Sequence, residues 1–255
     1  MICALLIFRT PELPAPLSQL SPWLDELVVP RDEVFAQLAA QEHRRFVKTH
    51  TPLHEMTIAP RATYIVVARH PLDAAVSLFH QLDNIDSAPI RQPSGGPEPD
   101  RQRLSLLRWI GTEAPAQEER TSLPGVMRHL SDAWARRGEP NVVLLHYEDL
   151  SADLEGEMRR LAARLGVTVP DELWAALVKA ATSEHMRAAA DRLQPLGIPL
   201  KSNAAFFRRG TSGLGRELLT SAEFARYHAR TARLASPDLL AWLHRQNEAE
   251  GAPEP

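Results

Sequence analysis

The run Tyr64-Ile65-Val66-Val67-Ala68, followed at once by Arg69-His70-Pro71, constrains the fold of this chain more than any other stretch. Its apolar and β-favouring residues do not alternate with polar ones, the pattern of a strand buried on both faces of a parallel sheet. Pro71 predicts the first position of a helix, where its missing N–H has no partner to lose. A strand feeding a helix through a tight turn presents free N–H groups and the positive end of the helix dipole, which together bind anions. Arg69 adds a planar cation suited to phosphate oxygens, and Ser77 adds a hydroxyl. On these residues alone, a surface ion pair between Arg69 and Asp73 is an equal alternative.

A second buried strand is predicted at Val142-Val143-Leu144-Leu145-His146-Tyr147, and a shorter one at Arg45-Phe46-Val47-Lys48-Thr49-His50. In open α/β sheets ligands sit beyond the carboxyl ends of strands, so Lys48 and His50 lie where chemistry is expected, although a lone histidine there is more often a capping or surface residue. Met1 to Phe8 reads as part of a buried helix. Asp32 is placed to cap a helix to about Gln41, with Phe35 and Leu38 inward. Val126, Met127, Leu130 and Trp134 form the apolar stripe of a helix ended by Gly138. Leu154, Met158, Leu161 and Leu165 form another, stopped by Gly166. A helix from Asp171 carries Trp174, Leu177 and Val178. Thr220-x-x-Glu223 is a capping box, and Ser236-Pro237 opens a last helix to about Asn247.

The proline- and glycine-rich stretch within residues 84–120 is expected to be a lid or insert. Within it, Leu104, Leu107 and Trp109-Ile110 predict a short helix. Pro22-Trp23-Leu24 is expected as a lip over a substrate cleft, and residues 248–255 as a disordered tail. Strands alternating with amphipathic helices give an α/β class, a three-layer α/β/α architecture with a parallel central sheet. At 255 residues the chain suits one domain, expected over residues 1–247. A net charge of −3 gives no electrostatic reason to expect nucleic acid. The single cysteine, Cys3, excludes an intrachain disulfide and fits a reducing, cytoplasmic setting. No apolar run is long enough to span a bilayer, and the histidines are not grouped at metal-ligand spacing.

Four stretches carry a resemblance. They are Lys48-Thr49-His50-x-Pro52; Arg69 with Pro71, Asp73 and Ser77; Tyr147-Glu148-Asp149-Leu150; and Phe206-Phe207-Arg208-Arg209-Gly210-x-x-Gly213. In this order they resemble the sulfotransferases that use 3′-phosphoadenosine 5′-phosphosulfate (PAPS), in particular the bacterial, actinobacterial-looking branch of the cytosolic type, over residue 1 to about residue 245. The resemblance implies a P-loop NTPase-like sulfotransferase fold. It also implies transfer of a sulfuryl group from PAPS to a hydroxyl or amine of a small molecule or lipid, with no metal. His50 would be the general base and Lys48 a cation near the transferring group. Arg69, Ser77, Arg208, Arg209 and Gly210 would hold the 3′-phosphate, with Tyr147 and Thr182 at the adenine.

The match has departures. His70 stands for the family's Asn or Asp, Ser183 where an aromatic often stacks, and Leu214-Gly215 where Asp-Trp is usual. In the family, the helix matching Met1 to Phe8 follows a strand and a phosphosulfate loop reading roughly Pro-Lys-Ser-Gly-Thr-Thr-Trp. Neither precedes Met1 in the sequence, so the first strand is expected to be missing. A non-catalytic nucleotide-binding remnant is therefore an alternative expectation. A nucleotide kinase-like phosphotransferase ranks behind it, because no Gly-x-x-x-x-Gly-Lys-Ser/Thr loop appears.

Overall fold

The computed structural model describes residues 1–25, 29–86, 98–195, 199–207 and 212–244. The chain forms two compact units, each drawn from three stretches. One comprises Met1–His50, Asn84–Pro89 and Asp149–Gly210, the other Thr51–Asp83, Ile90–Glu148 and Thr211–Pro255.

The second unit contains the sheet. Strand β1, Tyr64–Ala68, runs parallel to β2, Val142–His146, with Tyr64 opposite Val142 and Ala68 opposite His146. β2 is buried on both faces, as its apolar run predicts. β1 is not: Val66 and Ala68 are buried, but Val67 is 58% exposed. Among the described residues the ladder comprises these two strands. A helix begins at Pro71 and runs to Asn84. The helices Glu98–Gly111, Leu123–Ala135, Ser221–Thr231 and Pro237–His244 complete this unit, and Leu72, Leu106, Met127 and Tyr227 are fully buried in its core. Part of the expected lid, residues 87–97, lies outside the described residues. The short helix predicted within the lid stretch is Glu98–Gly111, which buries Leu106, Trp109 and Ile110. The predicted capping box is present, with Thr220 and Glu223 bonding reciprocally.

In the first unit the helix Ile2–Phe8 packs on Trp174–Ala181, and Leu154–Leu165 packs on the same helix. Ala4, Leu17 and Leu193 centre an apolar cluster edged by Phe8, Phe46 and Phe207. Gly166 closes Leu154–Leu165 at φ 62°, the left-handed conformation its position predicts.

Three further expectations are corrected. Residues 45–50 do not form a ladder strand; they pair through one parallel bridge, Lys48 with Trp23. The ladder cannot continue backwards because its next donor would be the nitrogen of Pro22, which carries no hydrogen. The helix Arg31–Ala40 starts without a side-chain cap and buries Val34, leaving Phe35 61% exposed. Val34 and Leu38, four apart, define its inward stripe, and Phe35 is turned about 100° away from it. Finally, Leu123–Ala135 ends before Gly138, where the Arg136 N–H donates to Ala133 O and the Arg137 N–H to Trp134 O, each at 3.2 Å.

Candidate functional site

The predicted site residues fall into a group in each unit. In the first unit, Lys48 and His50 flank one indole. The Lys48 ammonium lies 3.7 Å from the centre of the Trp23 ring, a cation–π contact. The His50 imidazole meets the same residue edge-on, 4.8 Å between ring centres at 73°. Residues two apart on an extended segment point to the same side, which is how both reach Trp23. The backbone is fixed as well. Lys48 N–H donates to Pro22 O at 3.1 Å, and Leu24 N–H donates to Lys48 O at 2.9 Å. The Asp25 carboxylate accepts the His50 N–H at 2.7 Å and the Thr49 hydroxyl at 3.2 Å. His50 itself is exposed. The segment expected as a lip, Pro22-Trp23-Leu24, is thus a brace for Lys48 and His50.

Thr182, in the same unit, is the N-cap of Ser183–Ala188. Its hydroxyl donates to Lys179 O at 2.8 Å and accepts from His185 N–H at 3.2 Å. Of the last motif, Phe206 ends the helix Asn203–Phe206 and the Phe207 carbonyl accepts from Arg187 at 2.8 Å. Arg208, Arg209 and Gly210 lie outside the described residues.

In the second unit, Arg69 follows β1 and Tyr147 follows β2. The parallel pairing places these residues side by side, and the guanidinium carbon of Arg69 sits 4.3 Å from the centre of the Tyr147 ring. Ser77 is partly buried one turn beyond Asp73 on the Pro71–Asn84 helix. Asp73 is 3% exposed, which rules out the surface ion pair. Its two oxygens instead accept the N–H groups of Gly213 and Gly215, each at 2.8 Å. Glu148, also buried, accepts the Ser212 hydroxyl at 2.6 and 2.7 Å. The ends of both strands therefore hold the chain at residues 212–215.

Behind these carboxylates lies a polar interior. His70, Asp73, His146, Glu148, Ser212, Leu243 and His244 line a cavity of about 10 Å³, near the size of one water molecule. His70 Nδ1 accepts the Leu72 N–H at 3.3 Å, and His146 Nδ1 accepts the Glu148 N–H at 3.2 Å. Each histidine thus caps the turn that follows its strand. Burial, then repulsion from His228, His146 and Arg69, pushes His70 down to about 3. Burial and repulsion from His70 and His228 take His244 to about 3 as well.

Sequence reasoning gave no role to Asp25, Glu148 or Ser212, and read Asp73 only as part of a motif or as a surface partner of Arg69. The available signal was an acid in the first turn of a helix that follows a strand closely, at Asp73 and Glu148, where burial requires a donor.

The chain is similar to known proteins. The sulfotransferase domain family matches residues 6–236. A glycolipid sulfotransferase of Mycobacterium bovis is 38% identical over 270 aligned positions, covering 95% of this chain and 82% of the relative. The glycolipid sulfotransferase Rv1373 of Mycobacterium tuberculosis is 38% identical with the same coverage. Among solved structures, mouse sulfotransferase SULT7A1 complexed with PAP superposes with a TM-score of 0.70. It is 17% identical, and the match covers 97% of this chain and 84% of that one. This structural likeness supports the predicted α/β fold.

Proposed function

This chain belongs to the sulfotransferase domain family, and from that premise we propose that it transfers a sulfuryl group from PAPS to a hydroxyl or amine of a small-molecule or lipid acceptor in the cytoplasm. The mycobacterial relatives are named for glycolipids, which makes a glycolipid hydroxyl the favoured acceptor. The observation that carries the proposal is Arg69, a half-buried guanidinium held against Tyr147 where two parallel strands end. A planar fork fixed in this way suits the oxygens of a phosphate. Arg69 and Ser77 are assigned to the 3′-phosphate, together with Arg208, Arg209 and Gly210. Tyr147 and Thr182 are assigned to the adenine.

Lys48 offsets negative charge on the transferring group, as preorganised cations do in phosphoryl transfer. His50 takes the acceptor proton as the acceptor atom bonds to sulfur. The bond from sulfur to the 5′-phosphate oxygen breaks, and its electron pair leaves with 3′-phosphoadenosine 5′-phosphate (PAP).

Calorimetric titration with PAP and with adenosine 5′-phosphate tests this directly. Hydrogen bonds to charged groups contribute about 1.5–3 kcal/mol. Arg69→Ala is therefore expected to weaken PAP about tenfold to a hundredfold while leaving adenosine 5′-phosphate unchanged. A folded protein that does not distinguish the two nucleotides has no 3′-phosphate site. PAP binding without turnover of PAPS, with octyl glucoside or 4-nitrophenol as acceptor, would restore the remnant alternative.

A further inference from the structure

The segment beside Lys48 and His50 has a job of its own. We infer that Asp25 is a positioning residue for His50, and through it for sulfuryl transfer; the inference rests on the proposed role of His50. In the parallel bridge, Lys48 N–H goes to Pro22 O and Leu24 N–H goes to Lys48 O. Were the ladder to continue, the next donor, His50 N–H, would bond Leu24 O. The Asp25 carboxylate takes that donor instead, at 2.7 Å, and holds the intervening Thr49 hydroxyl at 3.2 Å.

One carboxylate thus ends the pairing and fixes the two peptide units that lead into the imidazole. The ring meets the Trp23 edge from there, with Trp23 only two residues before Asp25 and already tied to Lys48 by cation–π contact. Position matters because His50 is exposed, so the peptide units that lead into it bear on where its ring lies. A reacting group displaced by about 1 Å can lose on the order of a hundredfold in rate. Asp25 touches no reacting atom. It acts by where it holds His50.

The test combines Asp25→Ala, Asp25→Asn, His50→Ala and the double variant Asp25→Ala/His50→Ala. Rates are measured with PAPS and 4-nitrophenol or octyl glucoside, and PAP affinity is measured by calorimetry. Asp25→Ala is expected to lower kcat about tenfold to a hundredfold, with PAP affinity and KM for PAPS within about twofold. Asp25→Asn keeps an oxygen that can accept the His50 N–H, and is expected to recover most of the rate. The double variant is expected to be no slower than His50→Ala alone, because Asp25 has nothing left to position. Rate losses that add would assign Asp25 a structural role and overturn the inference. So would a normal rate in Asp25→Ala when His50→Ala is slow. A normal rate in His50→Ala, or no turnover by the unaltered chain, would overturn the role of His50 and this inference with it.

Discussion

His70 and His244 lie 4.9 Å apart, centre to centre, in an interior that keeps both uncharged. The His244 ring nitrogen Nε2 is also bonded to the buried Tyr227 hydroxyl at 2.8 Å. Both histidines are held near 3 in the folded chain and return to about 6.5 when it unfolds. Between these values the unfolded chain binds protons that the folded one refuses, so stability falls as pH drops through that window and is level above it. One such group alone approaches about 1.4 kcal/mol per pH unit. Urea midpoints are expected to hold from about pH 8 to 7 and to fall steeply towards about pH 4. His70→Asn and His244→Gln should each flatten the fall. A slope that neither variant changes would assign the acid loss to carboxylates. In the sequence, His70 is visible only as a departure from a motif. Its burial depends on Tyr227 and His244, far along the chain, so its neutrality was not legible.

Elements set by local chemistry were legible, and those set by a distant partner were not. The strand and the Pro71-led helix within residues 64–84 follow from one continuous pattern and appear at the expected positions, although β1 is not buried on both faces. The missing ladder at residues 45–50 depends on Pro22, a residue that no local pattern connects to Lys48. The loop-helix Leu214–Glu217 shows the same limit. Gly215 reads as a lost motif residue, yet its backbone lies against Leu72 and donates to Asp73. A Cβ there would stand 2.6 Å from both the carbonyl carbon and the Cβ of Leu72. No rotamer relieves a clash with backbone, so Gly215→Ala must push the segment off Asp73. Overpacking of this kind costs about 1–3 kcal/mol, and losing the hydrogen bonds to a buried carboxylate adds to it. The urea midpoint of Gly215→Ala is expected to fall accordingly at about pH 7.5. A midpoint equal to the parent's would mean that the segment has room to shift without leaving Asp73.

At the scale of the whole molecule, the two units cannot be separated by a single cut, because the chain passes between them several times. The core of the sheet-bearing unit joins Leu72, Leu106 and Met127 to Leu219, Tyr227, Leu239 and Leu243, across an excursion into the other unit. Composition and periodicity signalled a chain of one-domain length, but the division of its core could not be read from them, since a buried residue does not reveal which distant residue it meets. A fragment covering residues 51–148 keeps both strands and the helices Glu98–Gly111 and Leu123–Ala135, and every predicted turn between them. It lacks Leu219, Tyr227, Leu239 and Leu243. Each large side chain of this kind contributes about 1.5–3 kcal/mol when fully buried, so their joint loss rivals the ~5–15 kcal/mol by which whole domains are stable. The fragment is expected to show helical far-ultraviolet dichroism, weak near-ultraviolet dichroism and no cooperative urea transition. A cooperative transition would mean that the parallel pair and its covering helices close a core by themselves. Folding would then start from the contiguous strand-helix run, with residues 212–244 docking onto a formed sheet. Without one, β1 and β2 gain their stability only when the late helices arrive, and the turn at Arg69 is built last, along with the rest of the core.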